Sequence, residues 1–246
     1  AYILDHSAAK LVLVDSELAP LLADALGRMV MPKPQVVEWA DPTEDATPAG
    51  MGIAYEAFLA GGDPVFDWQM PDDEWDAISL NYTSGTTGRP KGVLYHHRGA
   101  ALLATGNIVH AQLPGPPVYL WTLPMFHCNG WCFPWSLSVA CGTHVCLRQV
   151  RAGAIFDAIA DHGVTLMCGA PIVMQIVLGA SEEEKRAFDH TVRFFTAAAP
   201  PPPAVLAAMA EAGFDVTHVY GLTETYGPAV VNEWHPEWNA LPPGEK

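Results

Sequence analysis

The chain is poor in positive charge: 12 lysines and arginines stand against 27 aspartates and glutamates, a formal net charge of −15. That balance excludes non-specific binding to nucleic acid or to anionic membranes, which depends on a basic face. No apolar run reaches the roughly 18 residues that a membrane-spanning helix needs, so none is expected. Cysteine is scarce and odd in number: Cys128, Cys132, Cys141, Cys146 and Cys168. In apolar surroundings this fits a reducing compartment such as the cytoplasm better than a disulfide framework. The pairs Cys128/Cys132 and Cys141/Cys146 have zinc-ligand spacing. However, the eight residues between them are few for a two-knuckle site, and the neighbours Trp131, Phe133, Trp135 and Leu137 are apolar. Buried thiols acting as small hydrophobes are the better reading. Two common phosphate signatures are missing as well, the Walker A loop and the G-x-G-x-x-G turn. Any phosphate site here is therefore of another type, built locally from Lys91, Arg89, amides and a metal ion.

Half of the residues are hydrophobic, enough for a sizeable core in one large domain or two small ones. The chain opens at Ala1 without a methionine or a charged leader and stops at Lys246 after a Pro-Pro-Gly-Glu stretch, so both ends are expected to be cut points. Residues 10–15 form a continuous apolar run, expected to be a strand buried on both faces. Ser16 is expected to cap the helix that follows, with Leu18, Leu21, Leu22, Ala25 and Leu26 on one face. Further strands are expected at 35–39, 118–123, 143–147, 164–167, 192–197 and 215–220. Helices are expected at 55–60, 99–113, 131–140, 155–163 and 172–178, and from the prolines at 200–203 to Gly213. The acidic stretch 71–76 reads as a solvated turn, and Ser181 with Glu184 offers a capping box. Strands alternating with helices of about ten residues make an α/β fold of layered, mostly parallel sheets with covering helices. A single domain, incomplete at both ends, is expected.

Residues 81–93 hold the densest chemistry. Thr83, Ser84, Thr86 and Thr87 supply hydroxyls, Gly85, Gly88 and Gly92 remove Cβ atoms, and Lys91 adds an ammonium. Ile78, Leu80 and Tyr82 before it, and Val93 and Tyr95 after it, alternate as strands do, so the expected form is strand, tight loop, strand. Such a loop can cradle phosphate, because backbone N–H groups reach phosphate oxygens where no Cβ intervenes. It can equally be a surface hairpin. A second stretch, Tyr220-Gly221-Leu222-Thr223-Glu224, lies at the carboxyl end of an expected strand, where open α/β sheets gather ligand groups. A hydroxyl beside a carboxylate can hold a phosphate oxygen and Mg²⁺ together, or the stretch can be an ordinary strand exit.

Together the two stretches resemble the AMP-forming acyl-adenylating superfamily, which includes acyl-CoA synthetases, luciferases and peptide-synthetase adenylation domains. Between them, Leu123-Pro124-Met125-Phe126-His127-Cys128-Asn129-Gly130-Trp131 looks like the family's aromatic/His segment near the acyl pocket. Thr196-Ala197-Ala198-Ala199-Pro200 occupies the place of its adenine-side segment. The stretches around His96-His97-Arg98 and Phe126-His127-Cys128 lean towards short- to medium-chain acyl-CoA ligases, such as methylmercaptopropionate-CoA ligases and plant acyl-activating enzymes. The resemblance covers part of the family's large N-terminal domain.

The resemblance implies ATP-dependent conversion of a carboxylic acid into an acyl-adenylate and then a coenzyme A thioester. ATP, Mg²⁺ and coenzyme A would be the small-molecule partners. By it, Thr83, Ser84, Gly85, Thr86, Thr87, Gly88 and Lys91 hold the β- and γ-phosphates, and Thr83 and Glu224 hold Mg²⁺. Thr223 contacts the α-phosphate, while Ala198, Ala199, Pro200, Tyr220, Gly221 and Leu222 lie around the nucleotide. His127 is either an acyl-pocket or gating residue or a structural histidine; Trp131, Phe133 and Trp135 are pocket wall or core; His96, His97 and His144 are structural or surface. The family usually has glycine where Ala198 stands. Its ribose-binding aspartate, hinge and C-terminal adenylation lysine match no residue of this chain. An adenylation domain that loads a carrier protein and a nucleotide-binding module without turnover are the competing readings.

Overall fold

The computed structural model describes residues 1–43, 47–84, 88–112 and 115–242. They fall into two compact units: Ala1–Pro71 with Ser84–Pro90, and Asp72–Thr83 with Lys91–Lys246.

The first unit carries α1 (Tyr2–Ser7), β1 (Leu11–Asp15), α2 (Ala19–Gly27), β2 (Gln35–Trp39), β3 (Ile53–Ala54) and α3 (Tyr55–Ala60). The three strands form a parallel sheet in the order β1-β2-β3. Two expectations change here. The strand at 11–15 is not buried on both faces: Val14 is buried, but Leu13 is 57% exposed although its register partner Val37 is buried, because β1 is an edge strand of this small sheet. Nor does Ser16 cap a helix. Asp15 accepts from the Glu17 N–H at the start of a 3₁₀ turn, Ser16–Leu18. The Ser16 hydroxyl instead donates to buried Glu38 at 2.7 Å. That bond, with the N–H groups of Ala49 and Met51, holds the Glu38 carboxyl below its ordinary pKa against the opposing effect of burial.

The second unit begins with an antiparallel pair, β4 (Ala77–Thr83) and β5 (Lys91–His96), whose register places Thr83 opposite Lys91. Then follow α4 (His97–Ala111), β6 (Val118–Trp121), α5 (Cys128–Trp131), α6 (Phe133–Val139), β7 (Thr143–Cys146) and α7 (Ala152–His162). The rest comprises β8 (Leu166–Gly169), α8 (Pro171–Leu178), β9 (Val192–Thr196), α9 (Pro203–Glu211), β10 (Phe214–Leu222) and β11 (Gly227–Val231). The main sheet runs β11-β10-β9-β8-β6-β7 and is parallel except for β11. The α/β expectation therefore holds.

Alternation along the strands shows why both faces are covered. Leu120, Met167 and Phe194 point into one core with Ile155, Ile159, Met174 and Met209 from α7, α8 and α9. Their neighbours Tyr119, Trp121, Leu166, Cys168 and Phe195 point into a second core with Phe133 and Leu137 of α6.

The acidic turn acquires a role the sequence does not announce. The Glu74 and Asp76 carbonyls accept from the Arg98 and His97 N–H groups, and the Glu74 carboxylate pairs with Arg98 at 2.7 Å. It thus satisfies orphan donors at the start of α4. His96 caps the same helix through Nδ1 to the Gly99 N–H, and His144 Nδ1 accepts from Trp121 Nε1 at 3.0 Å, so both histidines are structural. The Ser181–Glu184 hydrogen bonds form, but they close a turn rather than a helix. Cys128, Cys132 and Cys168 are buried as expected; Cys141 and Cys146 are exposed, because β7 lies at the sheet edge.

Candidate active site

Because β6, β8, β9 and β10 are mutually parallel, the segments that leave them emerge at one edge of the sheet. The segment 122–131 follows β6, residues 197–200 follow β9, and Thr223–Thr225 form a 3₁₀ turn directly after β10. Topology thus gathers three of the four candidate stretches where α/β sheets bind ligands. The fourth is the β4–β5 connection. Thr83 and Lys91 are its paired flanks, Lys91 is exposed, and Gly88 has φ +88°, a conformation that requires glycine. Gly85, Thr86 and Thr87 lie outside the described residues.

The Thr223 turn is tightly held. Tyr95 of β5 donates its hydroxyl to the Thr223 carbonyl at 2.7 Å. Its ring stacks on Tyr226 with centroids 4.0 Å apart, and the Tyr226 hydroxyl accepts from the His96 N–H at 3.1 Å. Cys128 Sγ lies 3.3 Å from Thr223 Oγ1, and Cys132 Sγ donates to the Tyr226 carbonyl at 3.6 Å. Glu224 projects from the turn exposed, and among the described residues its carboxylate has no hydrogen bond and no ion pair. One carboxylate beside hydroxyls fits Mg²⁺, which takes most of its ligands from phosphate and water; it does not fit an all-protein metal cage. No group of three or more His, Cys, Asp or Glu is placed to hold a metal among the described residues.

The helix expected at 131–140 forms as α6, two residues shorter at its start, and the aromatic/His segment leads into it through an irregular turn. Cys128, Asn129, Gly130, Trp131 and Cys132 all have φ between 45° and 63°, a single left-handed turn, before α6 starts at Phe133. Left-handed residues other than glycine cost roughly 1–2 kcal/mol each, so tertiary contacts must hold them. Buried Asn107 supplies one, donating Nδ2 to the Trp131 carbonyl at 2.8 Å and to Ser136 Oγ at 3.2 Å. Trp131 and Phe133 belong to the core, packed with Trp121. His127 is exposed and contributes through its backbone, accepting from the Gly130 N–H at 2.8 Å. Its ring is not brought against Thr223, Glu224 or Lys91 by any hydrogen bond among the described residues.

Ala198, Ala199 and Pro200 are exposed, and the Ala198 carbonyl lies 3.3 Å from His218 Nε2. Ala198 has φ 75°. The backbone therefore requires the glycine-like conformation although this chain has alanine there. Ala198→Gly is expected to stabilise the protein by about 0.5–1 kcal/mol, since relief of left-handed strain outweighs the added unfolded-state entropy. Thermal unfolding of the two proteins measures it, and an unchanged or lower Tm contradicts it.

Sequence reasoning missed Tyr95, Cys128 and Tyr226 as partners of the turn, along with Gly99, and it named Gly221 for the nucleotide and not for strand packing. A Cβ on Gly99 would overlap the Tyr226 ring, and one on Gly221 would overlap the Gly227 carbonyl. The only available signal was a tyrosine on the inward period of a strand and two glycines without an evident turn.

Comparison with known proteins agrees with the fold. The family described as AMP-binding enzyme matches residues 1–244. The acetate–CoA ligase CCL3 of Humulus lupulus is 48% identical over 99% of this chain and 45% of its own length. The peroxisomal acetate/butyrate–CoA ligase AAE7 of Arabidopsis thaliana is 47% identical over 99% of the chain and 45% of its own. The chain thus spans about half the length of the curated relatives it matches. Among solved structures, the inhibitor-bound N-terminal domain of FACL13 from Mycobacterium tuberculosis aligns with TM-score 0.75 and 25% identity, over 94% of this chain and 55% of that one.

Proposed function

This chain belongs to the AMP-binding enzyme family, and from that premise we propose that it forms the nucleotide- and acid-binding part of an acyl-CoA ligase acting on short-chain carboxylic acids. The observation that carries the reading is the convergence of Thr223–Glu224, the 197–200 segment and the His127 segment at one sheet edge, with the Lys91 strand bonded to the Thr223 turn through Tyr95. Two relatives named for acetate or butyrate point to the acid class.

In the first step a carboxylate oxygen attacks the α-phosphorus of ATP. The bond to the bridging oxygen breaks, and pyrophosphate departs with the electron pair. In the second the coenzyme A thiol loses its proton and its sulfur attacks the acyl carbonyl, releasing AMP. An anion attacking an anion demands positioning and neutralisation of charge. Lys91 places a point charge at the β- and γ-phosphates, with Thr83, Ser84, Gly85, Thr86, Thr87 and Gly88 as the cradle. The Thr223 hydroxyl donates to an α-phosphate oxygen. Tyr220, exposed at the end of β10, offers a ring face to adenine beside Ala198, Ala199, Pro200, Gly221 and Leu222. His127 stands at the acyl side. Thr83 and Glu224 would hold Mg²⁺, which supplies charge neutralisation on the triphosphate. The five free cysteines support a reducing compartment, in our reading the cytoplasm.

The test is acid-dependent exchange of labelled pyrophosphate into ATP by a protein extended to the length of those relatives. Exchange with acetate or butyrate is the expected result. Absence of exchange with any short- to medium-chain acid overturns the proposal.

A further inference from the structure

The contacts around Thr223 do more than fold the turn. Tyr95 is fully buried, and its hydroxyl hydrogen is given to the Thr223 carbonyl. Its ring is fixed by Tyr226, which is itself fixed by the His96 N–H and by the missing side chain of Gly99. On the other side, buried Cys128 meets the Thr223 hydroxyl. A threonine hydroxyl has one hydrogen and two lone pairs. When it accepts from a thiol S–H, its own hydrogen is left for another acceptor; when it donates to the sulfur, that hydrogen is used up. Burial first, and the nearby Glu224 carboxylate after it, push the Cys128 thiol up against the opposing effect of the Thr223 hydroxyl, so the sulfur keeps a proton that it can donate at 3.3 Å.

Resting on the proposed function, we infer that Tyr95 and Cys128 are positioning residues for adenylate formation. Tyr95 fixes the backbone of the Thr223 turn, and Cys128 donates S–H to Thr223 Oγ1, so that the threonine hydrogen is directed to an α-phosphate oxygen. Tyr95 lies four residues after Lys91 on β5. One strand therefore sets both the lysine for the leaving phosphates and the threonine for the attacked one. Side chains that touch no substrate keep these two groups in register. Misplacement of a group that acts on the transferring phosphorus lowers kcat more than it raises KM.

The experiment measures kcat and KM for MgATP in pyrophosphate exchange, together with Tm, for the extended wild type and its variants. Tyr95→Phe keeps the ring and removes the hydroxyl; Cys128→Ala removes the thiol; Cys128→Ser restores a donor. Tyr95→Phe and Cys128→Ala are each expected to lower kcat about tenfold with KM changed less than about threefold. Cys128→Ser should recover most of that loss. In a Thr223→Ala background neither Tyr95→Phe nor Cys128→Ala should add more than about twofold, because both act through the same residue. Wild-type exchange with an unchanged kcat in Tyr95→Phe, or an unchanged or raised kcat in Cys128→Ala, overturns the inference and leaves the functional reading standing. A loss that tracks a fall in Tm and persists without Thr223 assigns these residues to folding alone. Absence of wild-type exchange overturns both.

Discussion

Lys91→Met in the extended protein is expected to lower kcat/KM for MgATP by about a hundredfold, while Tm moves by no more than about 2 °C. The side chain is exposed at the start of β5 and has no hydrogen bond or ion pair among the described residues, so folding loses little when its charge is removed. The triphosphate loses its nearest fixed cation in a chain of net charge −15. The penalty falls on the transition state, where charge builds on the leaving pyrophosphate. Methionine keeps most of the aliphatic stem. Steady-state exchange kinetics and thermal unfolding decide it. ATP kinetics within a factor of about three of wild type would remove Lys91 from the site.

Gly221→Ala is expected to act in the opposite way, through the fold. The β10–β11 register shifts between Tyr220 and Gly221, so that Gly221 faces Pro228 and lies against the Gly227 carbonyl. An added Cβ would overlap that carbonyl. Gly227 cannot retreat, since it sits at φ 134° with Trp131 directly behind it. Backbone must move on both strands. A loss of about 3 kcal/mol, or a Tm lower by about 6–12 °C, is the expected size. Gly106→Ala is the control: it lies within α4, a Cβ there meets nothing within 4 Å, and helix propensity predicts a gain of up to about 1 kcal/mol. Denaturant unfolding of both variants checks the pair. Equal stabilities would mean that the close approach at Gly221 does not constrain the strands.

Much of the fold was legible because it depends on neighbours in sequence. The β2 strand at Gln35–Trp39 and α3 at Tyr55–Ala60 have the expected bounds. Both combine a clear hydrophobic period with Gly or Pro punctuation nearby. The antiparallel pair around the glycine-rich loop was legible for the same reason. By contrast, β11 was missed. It is a short edge strand opening on Gly227-Pro228, and those residues usually mark a turn. The left-handed turn at 128–132 was missed too: Asn129-Gly130 tolerates positive φ, but Cys128, Trp131 and Cys132 carry no such local preference. Asn107, more than twenty residues earlier, helps to hold it.

What the sequence by itself determined was the alternation of strands and helices and the grouping of hydroxyls, glycines and charges in two short stretches, Thr83 to Lys91 and Tyr220 to Glu224. Hydrophobic period, glycine placement and a hydroxyl beside a carboxylate are properties of adjacent residues, so they can be read in order. Only the tertiary structure decided how the second stretch is held. Tyr95 reaches Thr223 across 128 positions and Cys128 reaches it across 95. Contacts over such separations are set by strand order in the sheet and leave no periodic trace along the chain.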